Sequence, residues 1–147
     1  MQGGIKLNKI LLIIPAYNEQ DSILSTTQTI DEYNKNHSHL LDYIVINDGS
    51  KDNTEQILVE HEVPHIKLVH NLGIGGAVQT GYKYAFENDY DIAIQFDGDG
   101  QHDVNYVEDI CKPIIEGKAN MTIGSRFVEG STSEFKSTKA RQMGIKI

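Results

Sequence analysis

The sequence contains one cysteine, Cys111, so no disulfide can form within the chain. That scarcity fits a reducing compartment and leads us to expect a cytoplasmic location. Cys111 falls on the apolar face of an expected helix, where it reads as a small buried hydrophobe. Long apolar runs are also missing. The longest, residues 10–14, has the length of a strand, whereas a membrane-spanning helix needs ~20 such residues. The PAYN break at 15–18 leaves no room for the apolar segment of a secretory signal. Positive charge is in deficit: 13 Lys and Arg stand against 21 Asp and Glu, a net charge of −8. This balance argues against nonspecific nucleic-acid binding. A phosphorylated ligand remains compatible with it if a metal cation supplies local positive charge. The six histidines are scattered, with no metal-ligand spacing among them.

With 39% hydrophobic and 23% charged residues over 147 positions, the chain reads as one soluble globular domain, residues 1–147. Its organisation is a regular alternation. Residues 9–14 form a continuous apolar run, as a strand buried on both faces requires, and Pro15 stops it. Asn18 and Asp21 are candidate caps for a helix carrying Ile23, Thr27, Ile30 and Tyr33 at helical spacing. A polar loop, 34–39, leads to a second strand at 43–46, which ends in Asn47-Asp48-Gly49-Ser50. Asp52 and Glu55 form a capping-box-like pair for the next helix. A third strand, 65–69, runs into Asn71-Leu72-Gly73-Ile74-Gly75-Gly76 and a helix through Ala77, Tyr84 and Ala85. The fourth strand, 92–96, ends in Asp97-Gly98-Asp99-Gly100-Gln101-His102. Val107, Ile110, Cys111 and Ile114 mark a further helix, bent or ended by Pro113, and 121–123 is a fifth strand followed by Gly124-Ser125-Arg126. A Gly/Ser/Thr-rich loop covers 129–138, and the nine residues after it, 139–147, read as the start of a helix still unfinished at 143–147. The βαβαβαβαβ order predicts a mostly parallel sheet with helices on both faces, a Rossmann-like three-layer α/β/α fold.

In such a sheet, ligands bind beyond the carboxyl ends of the strands. Every unusual polar cluster lies at such an end: PAYNE (15–19), NDGS (47–50), NLGIGG (71–76), DGDGQH (97–102) and GSR (124–126). Asp103 suits the cap of the helix after the acids, but that role does not account for Asp97 and Asp99. A calcium loop would need glycine where His102 stands, and a haloacid-dehalogenase-like phosphatase would need Thr or Val where Gln101 stands. Hard oxygen donors from Asp97, Asp99 and Gln101 suit a divalent cation, Mg2+ or Mn2+, shared with a nucleotide diphosphate. Gly73 and Gly75 sit in a cluster that serves either as a tight turn or as a backbone lying close to a ligand. Asp48 suits either a turn bonded to its own amides or an acceptor for a nucleobase imide N–H. Tyr17 could stack on that base, and the planar fork of Arg126 suits either a phosphate or an acidic partner.

These motifs, in this order, resemble those of family 2 glycosyltransferases, over about residues 9–130. The resemblance is strongest to dolichyl-phosphate mannosyltransferases and bacterial polyprenyl-phosphate glycosyltransferases. It implies a GT-A-type fold and an inverting, metal-dependent transfer of a hexose from a UDP- or GDP-sugar to a polyprenyl phosphate or a cell-surface glycan. By the same resemblance Pro15, Tyr17, Glu19, Asp48, Gly73, Gly75, Asp97 and Gly98 bind the nucleotide. Asp97, Asp99 and Gln101 hold the metal. Asp99 and Arg126 take the catalytic roles, with Arg141 as a second candidate for phosphate. The subgroup implies peripheral contact with the cytoplasmic face of a membrane. Its members are longer, so the chain reads as a donor-binding part. The alternative is a nucleotide-sugar-binding module without transferase activity. An unfinished helix at 143–147 would expose an apolar stripe and favour a homodimer.

Overall fold

A computed structural model describes residues 9–37, 41–97 and 103–118, and the backbone of 121–125 and 141–146. Its first strand, β1 (Ile10–Ala16), accounts for the apolar run at 10–14. Side chains alternate across a strand, and here both faces are covered. Ile10, Leu12, Ile14 and Ala16 join one core, whereas Leu11 and Ile13 join the other. α1 (Ile23–Asn36) and α2 (Thr54–Glu60) cover the first face with α4 (Val107–Ile115), which follows a short 3-10 turn at Val104–Tyr106. α3 (Gly73–Glu87) covers the second. The expected three-layer arrangement is therefore present.

The sheet also contains β2 (Asp42–Asn47), β3 (His65–Lys67), β4 (Ile92–Gln95), β5 (Met121–Ser125) and β6 (Arg141–Lys146). Its order is β3-β2-β1-β4-β6-β5, with β3, β2, β1 and β4 mutually parallel. β6 is antiparallel to both β4 and β5. The segment expected to start a helix at 143–147 is thus largely strand. Lys146 to Met143 pair with Ile92 to Gln95, so the backbone groups of β4 on that side are satisfied by the sheet. A short apolar run at the end of a sequence does not fix its own period, and an edge waiting for a partner decides it. With the helix goes the expected helical stripe, and with it the reason given for a homodimer. Arg141 opens this strand, paired with Ser125.

Three local expectations also change. Neither Asn18 nor Asp21 caps α1. Its N-cap is Ser22, and the Glu19 carbonyl accepts from the backbone N–H of Ser22 and Ile23. Asp52 and Glu55 do not form a capping box: Asp52 accepts from the Thr54 N–H at 2.9 Å, but Glu55 turns away to Asn47 and His65. α4 runs through Pro113 and closes two residues later, where Gly117 at φ +74 lets the Lys118 N–H reach the Pro113 carbonyl at 2.9 Å. Asp103 does cap, accepting from the Asn105 N–H. Cys111 is buried as expected, and burial pushes its thiol up to about 12.

α3 approaches the sheet through Gly81, where an added Cβ would lie 2.2 Å from Ile13 Cγ2. Ile13 is fully buried and packed in the second core, so it has no free space to yield. Gly81→Ala is expected to cost about 1–3 kcal/mol of stability despite the better helix propensity of alanine. Urea denaturation measures this, and an unchanged midpoint would show that α3 is free to lift from β1.

Candidate donor site at the carboxyl rim

Pairing between β1 and β4 stops at Ile13 and Gln95, and the last bond runs from the Phe96 N–H to the Ile13 carbonyl at 2.8 Å. β1 continues beside β2 as far as Ala16 and Asn47. β2 and β3 lie to one side of β1 and the later strands to the other side of β4, so the strand order switches between β1 and β4. The crevice beyond the carboxyl ends at such a switch is the usual ligand position in an open sheet of this kind. Pro15 lies beyond the last β4 pair, so its missing N–H costs that ladder nothing.

The turn after β2 forms one wall. The Asp48 N–H donates to the Ala16 carbonyl at 2.8 Å, which ties the turn to the end of β1. Gly49 takes φ +69, and an added Cβ would stand 2.8 Å from the Asn71 nitrogen. The turn therefore presses against the loop before α3. Asp48, only 3% exposed, bonds that loop directly: its Oδ1 accepts from the Leu72 N–H at 2.7 Å. Its Oδ2 accepts from no described group. One oxygen therefore builds the turn, and the other is available to a ligand N–H.

The segment after β1 forms the floor. Asn18 takes φ +54, an uncommon conformation that asparagine tolerates. Its N–H donates to Ser50 Oγ at 2.9 Å, and its Oδ1 accepts from the Lys51 N–H at 2.8 Å. The Glu19 N–H reaches Thr54 Oγ1 at 2.9 Å, and the Gln20 N–H reaches Asp52 Oδ2 at 3.2 Å. Burial raises the Asp52 carboxyl, but hydrogen bonds from Thr54 and Gln20 outweigh it and hold the group below its usual range. Glu19 faces its own helix start, where Oε2 accepts from Ser22 Oγ at 2.8 Å. Tyr17, 43% exposed on this rim, leaves a ring face for a planar ligand.

Gly73 begins α3 at φ +80, and its N–H is held by Asn71 Oδ1 at 3.1 Å. A Cβ at Gly73 or Gly75 would meet nothing within 4 Å, so the backbone there is open to an approaching group. Asp97 stands half-buried just past β4, with Gln95 Nε2 3.3 Å from its Oδ1. Gly98, Asp99, Gln101 and Arg126 lie outside the described residues. The larger described cavity, about 390 Å³, is elsewhere: Ile10, Tyr33, Leu41 and Cys111 line it at the opposite end of β1.

Glycosyl transferase family 2 matches as a family model over residues 11–145. The chain belongs to that family. It is 37% identical over 134 residues to the UDP-N-acetylglucosamine–dolichyl-phosphate N-acetylglucosaminyltransferase of Methanococcus voltae, covering 80% of this chain and 51% of that protein. It is 29% identical over 127 residues to the undecaprenyl-phosphate mannosyltransferase of Micrococcus luteus, covering 83% of this chain and 50% of that protein. The chain thus spans about half the length of these curated relatives. Among solved structures, glucosyl-3-phosphoglycerate synthase from Mycobacterium tuberculosis, in complex with Mn2+, uridine diphosphate and glucosyl-3-phosphoglycerate, superposes with a TM-score of 0.60. That match has 22% sequence identity and covers 78% of this chain and 42% of the synthase. The fold is of the GT-A type.

In this member of family 2 the described structure brings Pro15, Tyr17, Asp48, Gly73, Gly75 and Asp97 to one rim, and Glu19 to its edge. Several side chains that build the rim were given no such role from the sequence: Thr54 was not singled out, Asn47 and Ser50 were named only as part of the NDGS cluster, and Asn18 and Glu55 only as helix caps. Their signal was present as a cluster of short polar residues on two adjacent loops, but only tertiary contact shows that each loop caps the other. Among the described residues, no three His, Cys, Asp or Glu side chains gather as a metal site. Asp97, Asp99 and Gln101 together would offer only hard oxygen donors, a set that fits Mg2+ or Mn2+.

Gly49 carries the closest backbone contact of the rim. Gly49→Ala must either strain a positive φ or push the Asn71 loop away. Its expected cost is about 1–3 kcal/mol, measured by chemical denaturation. A variant as stable as the parent would mean that the two loops do not pack as described.

Proposed function

We propose that this chain binds the donor of an inverting glycosyltransferase that moves a sugar from a UDP- or GDP-sugar to a polyprenyl phosphate. The observation that carries the reading is Asp48, a buried carboxylate at the crevice with one oxygen committed to the fold and one available. Such a group accepts from a ring N–H, the imide N3–H of uracil or the lactam N1–H of guanine. Tyr17 offers a stacking face beside it. The open backbone at Gly73 and Gly75 lets the nucleotide lie close. Asp97, just past β4, stands on the same rim, and with Gly98 it would bind the phosphate side of the nucleotide. The relatives named as polyprenyl-phosphate transferases support the acceptor class. They also favour an enzyme over a binding module, and a site at the cytoplasmic face of a membrane. Among the described residues no helix is long and apolar enough to cross a bilayer, so membrane contact by this part would be peripheral.

In the proposed reaction an acceptor phosphate oxygen attacks the anomeric carbon as the bond to the departing diphosphate breaks on the opposite face, inverting the configuration. A phosphate acceptor is already an anion, so no general base is required. Asp97, Asp99 and Gln101 would hold a divalent cation, whose contribution is to stabilise negative charge on the leaving nucleotide. Arg126 would hold phosphate through its guanidinium fork.

The test is a calorimetric panel of UDP-, GDP-, CDP- and dTDP-sugars with and without Mn2+. Metal-dependent binding of a UDP- or GDP-sugar is expected, and label from that donor should enter lipid when polyprenyl phosphate is supplied. Absence of binding across the panel would overturn the reading. Two variants separate the halves of the site. Asp48→Ala should weaken the whole nucleotide and the free nucleoside alike, by roughly tenfold or more for a lost bond to a charged acceptor of about 1.5–3 kcal/mol. Asp99→Asn should weaken nucleotide-sugar binding only when Mn2+ is present. If Asp48→Ala lowered affinity for inorganic diphosphate alone, its side chain would belong with the metal and not with the base.

A further inference from the structure

Behind the turn that carries Asp48, a chain of polar side chains runs across three elements. Asn47, the last residue of β2, is 1% exposed. Its Oδ1 accepts from the Ser50 N–H at 3.2 Å, and its Nδ2 donates to Glu55 Oε2 at 2.6 Å. The other Glu55 oxygen lies 2.9 Å from His65 Nε2, and His65 Nδ1 lies 2.7 Å from the Val63 carbonyl. A carboxylate can only accept, so the Asn47 amide must turn its nitrogen to Glu55 and its oxygen to Ser50. The Asn47 main-chain carbonyl meanwhile accepts from the Gly49 N–H and the Leu68 N–H, both at 2.9 Å. Asn47 therefore grips both ends of the Asp48-Gly49 step. Burial raises the Glu55 carboxyl, but hydrogen bonds from Asn47 and His65 and the charges of His65 and Lys67 outweigh it and keep the group below its usual range.

Glu55 occupies the first turn of α2, where a carboxylate commonly caps its own helix. Here it reaches back to β2 instead. We propose that Glu55, held from behind by His65, is a positioning residue for the donor site: it fixes the amide of Asn47, and Asn47 fixes the turn that presents Asp48. The inference rests on the reading of Asp48 as a nucleoside contact. It adds a residue that touches no substrate but sets how well the base is held, since a ligand group held loosely loses affinity to the cost of ordering it.

The variants Glu55→Ala, Glu55→Gln, His65→Leu and Asp48→Ala test this in the same chain, titrated with UDP, GDP, CDP and dTDP in the presence of Mn2+. Amide 15N shifts of Gly49 and Ser50 are recorded alongside. Glutamine can accept from Asn47 Nδ2 and donate to His65 Nε2, so it keeps the hydrogen-bond route without the charge. Glu55→Ala is expected to bind roughly fivefold to tenfold more weakly and to shift the Ser50 amide, whereas Glu55→Gln stays within roughly twofold of the parent. His65→Leu, which cuts the chain one link farther away, should lose roughly twofold to threefold, and it carries the test if Glu55→Ala does not fold. Unchanged affinity in Glu55→Ala or His65→Leu, with a loss in Asp48→Ala, overturns the positioning role and leaves the Asp48 reading standing. Equal losses in both Glu55 variants overturn the hydrogen-bond route. Parent-like binding by Asp48→Ala overturns the nucleoside reading and this inference with it.

Discussion

The burial of β1 on both faces is the constraint on which the rest of the structure depends. Ile10 to Ile14 and Ala16 are all at most 4% exposed, so neither face of the strand can shift without opening a core. Each buried aliphatic side chain contributes about 1.5–3 kcal/mol. The strand therefore acts as a fixed rail, and α3 lies so close to it that only glycine fits at position 81. Everything at the rim hangs from the end of this rail. The Ala16 carbonyl holds the Asp48 turn, the parting from β4 after Ile13 opens the crevice, and the PAYNE segment leaves directly from its last residues.

What lies past the rail is held by polar contacts, in an order set by desolvation. A turn over a buried strand end exposes several backbone N–H groups that must find acceptors. Asn18, Ser50, Asp52 and Thr54 supply them reciprocally between two loops, each loop satisfying the other. Neither loop has an apolar anchor of its own here, so their mutual hydrogen bonds take the place of packing. This explains why short polar residues crowd the carboxyl rim of a chain whose core is so plainly aliphatic.

The fold was legible where the pattern was local. Continuous apolar runs gave β1, β2 and β4, and helical spacing gave the inward faces of α1, α3 and α4. The third strand proved shorter than its expected run: the Leu68 N–H makes the last ladder bond, to the Asn47 carbonyl, and the chain then bends at Val69 and His70, leaving Val69 86% exposed. β6 was illegible because its three apolar and small residues, Met143, Gly144 and Ile145, carry no period of their own, and the strand that claims them lies far away in sequence. The site was legible as residue types at strand ends: Asp48, Gly73 and Tyr17 stand where the ends were expected. Its supporting frame was not. Glu55 was assigned to a cap on spacing alone, and spacing cannot show that Asn47 and His65 lie within reach across two other elements.

Asp48 shows why the structural and functional readings of a rim residue need not compete. A carboxylate has two oxygens, and the geometry divides them: Oδ1 is spent on Leu72 and closes the loop before α3. The consequence is that ordering of the glycine loop and presentation of the free oxygen are one event. On the proposed reading, a base that bonds Oδ2 would meet a loop already drawn in by Oδ1, with the backbone at Gly73 and Gly75 in place for the rest of the nucleotide. In a chain with a net charge of −8, such preorganisation carries particular weight. On that reading, an anionic donor gains nothing from the protein's overall field, and its affinity would rest on a cation and on a few groups fixed in advance.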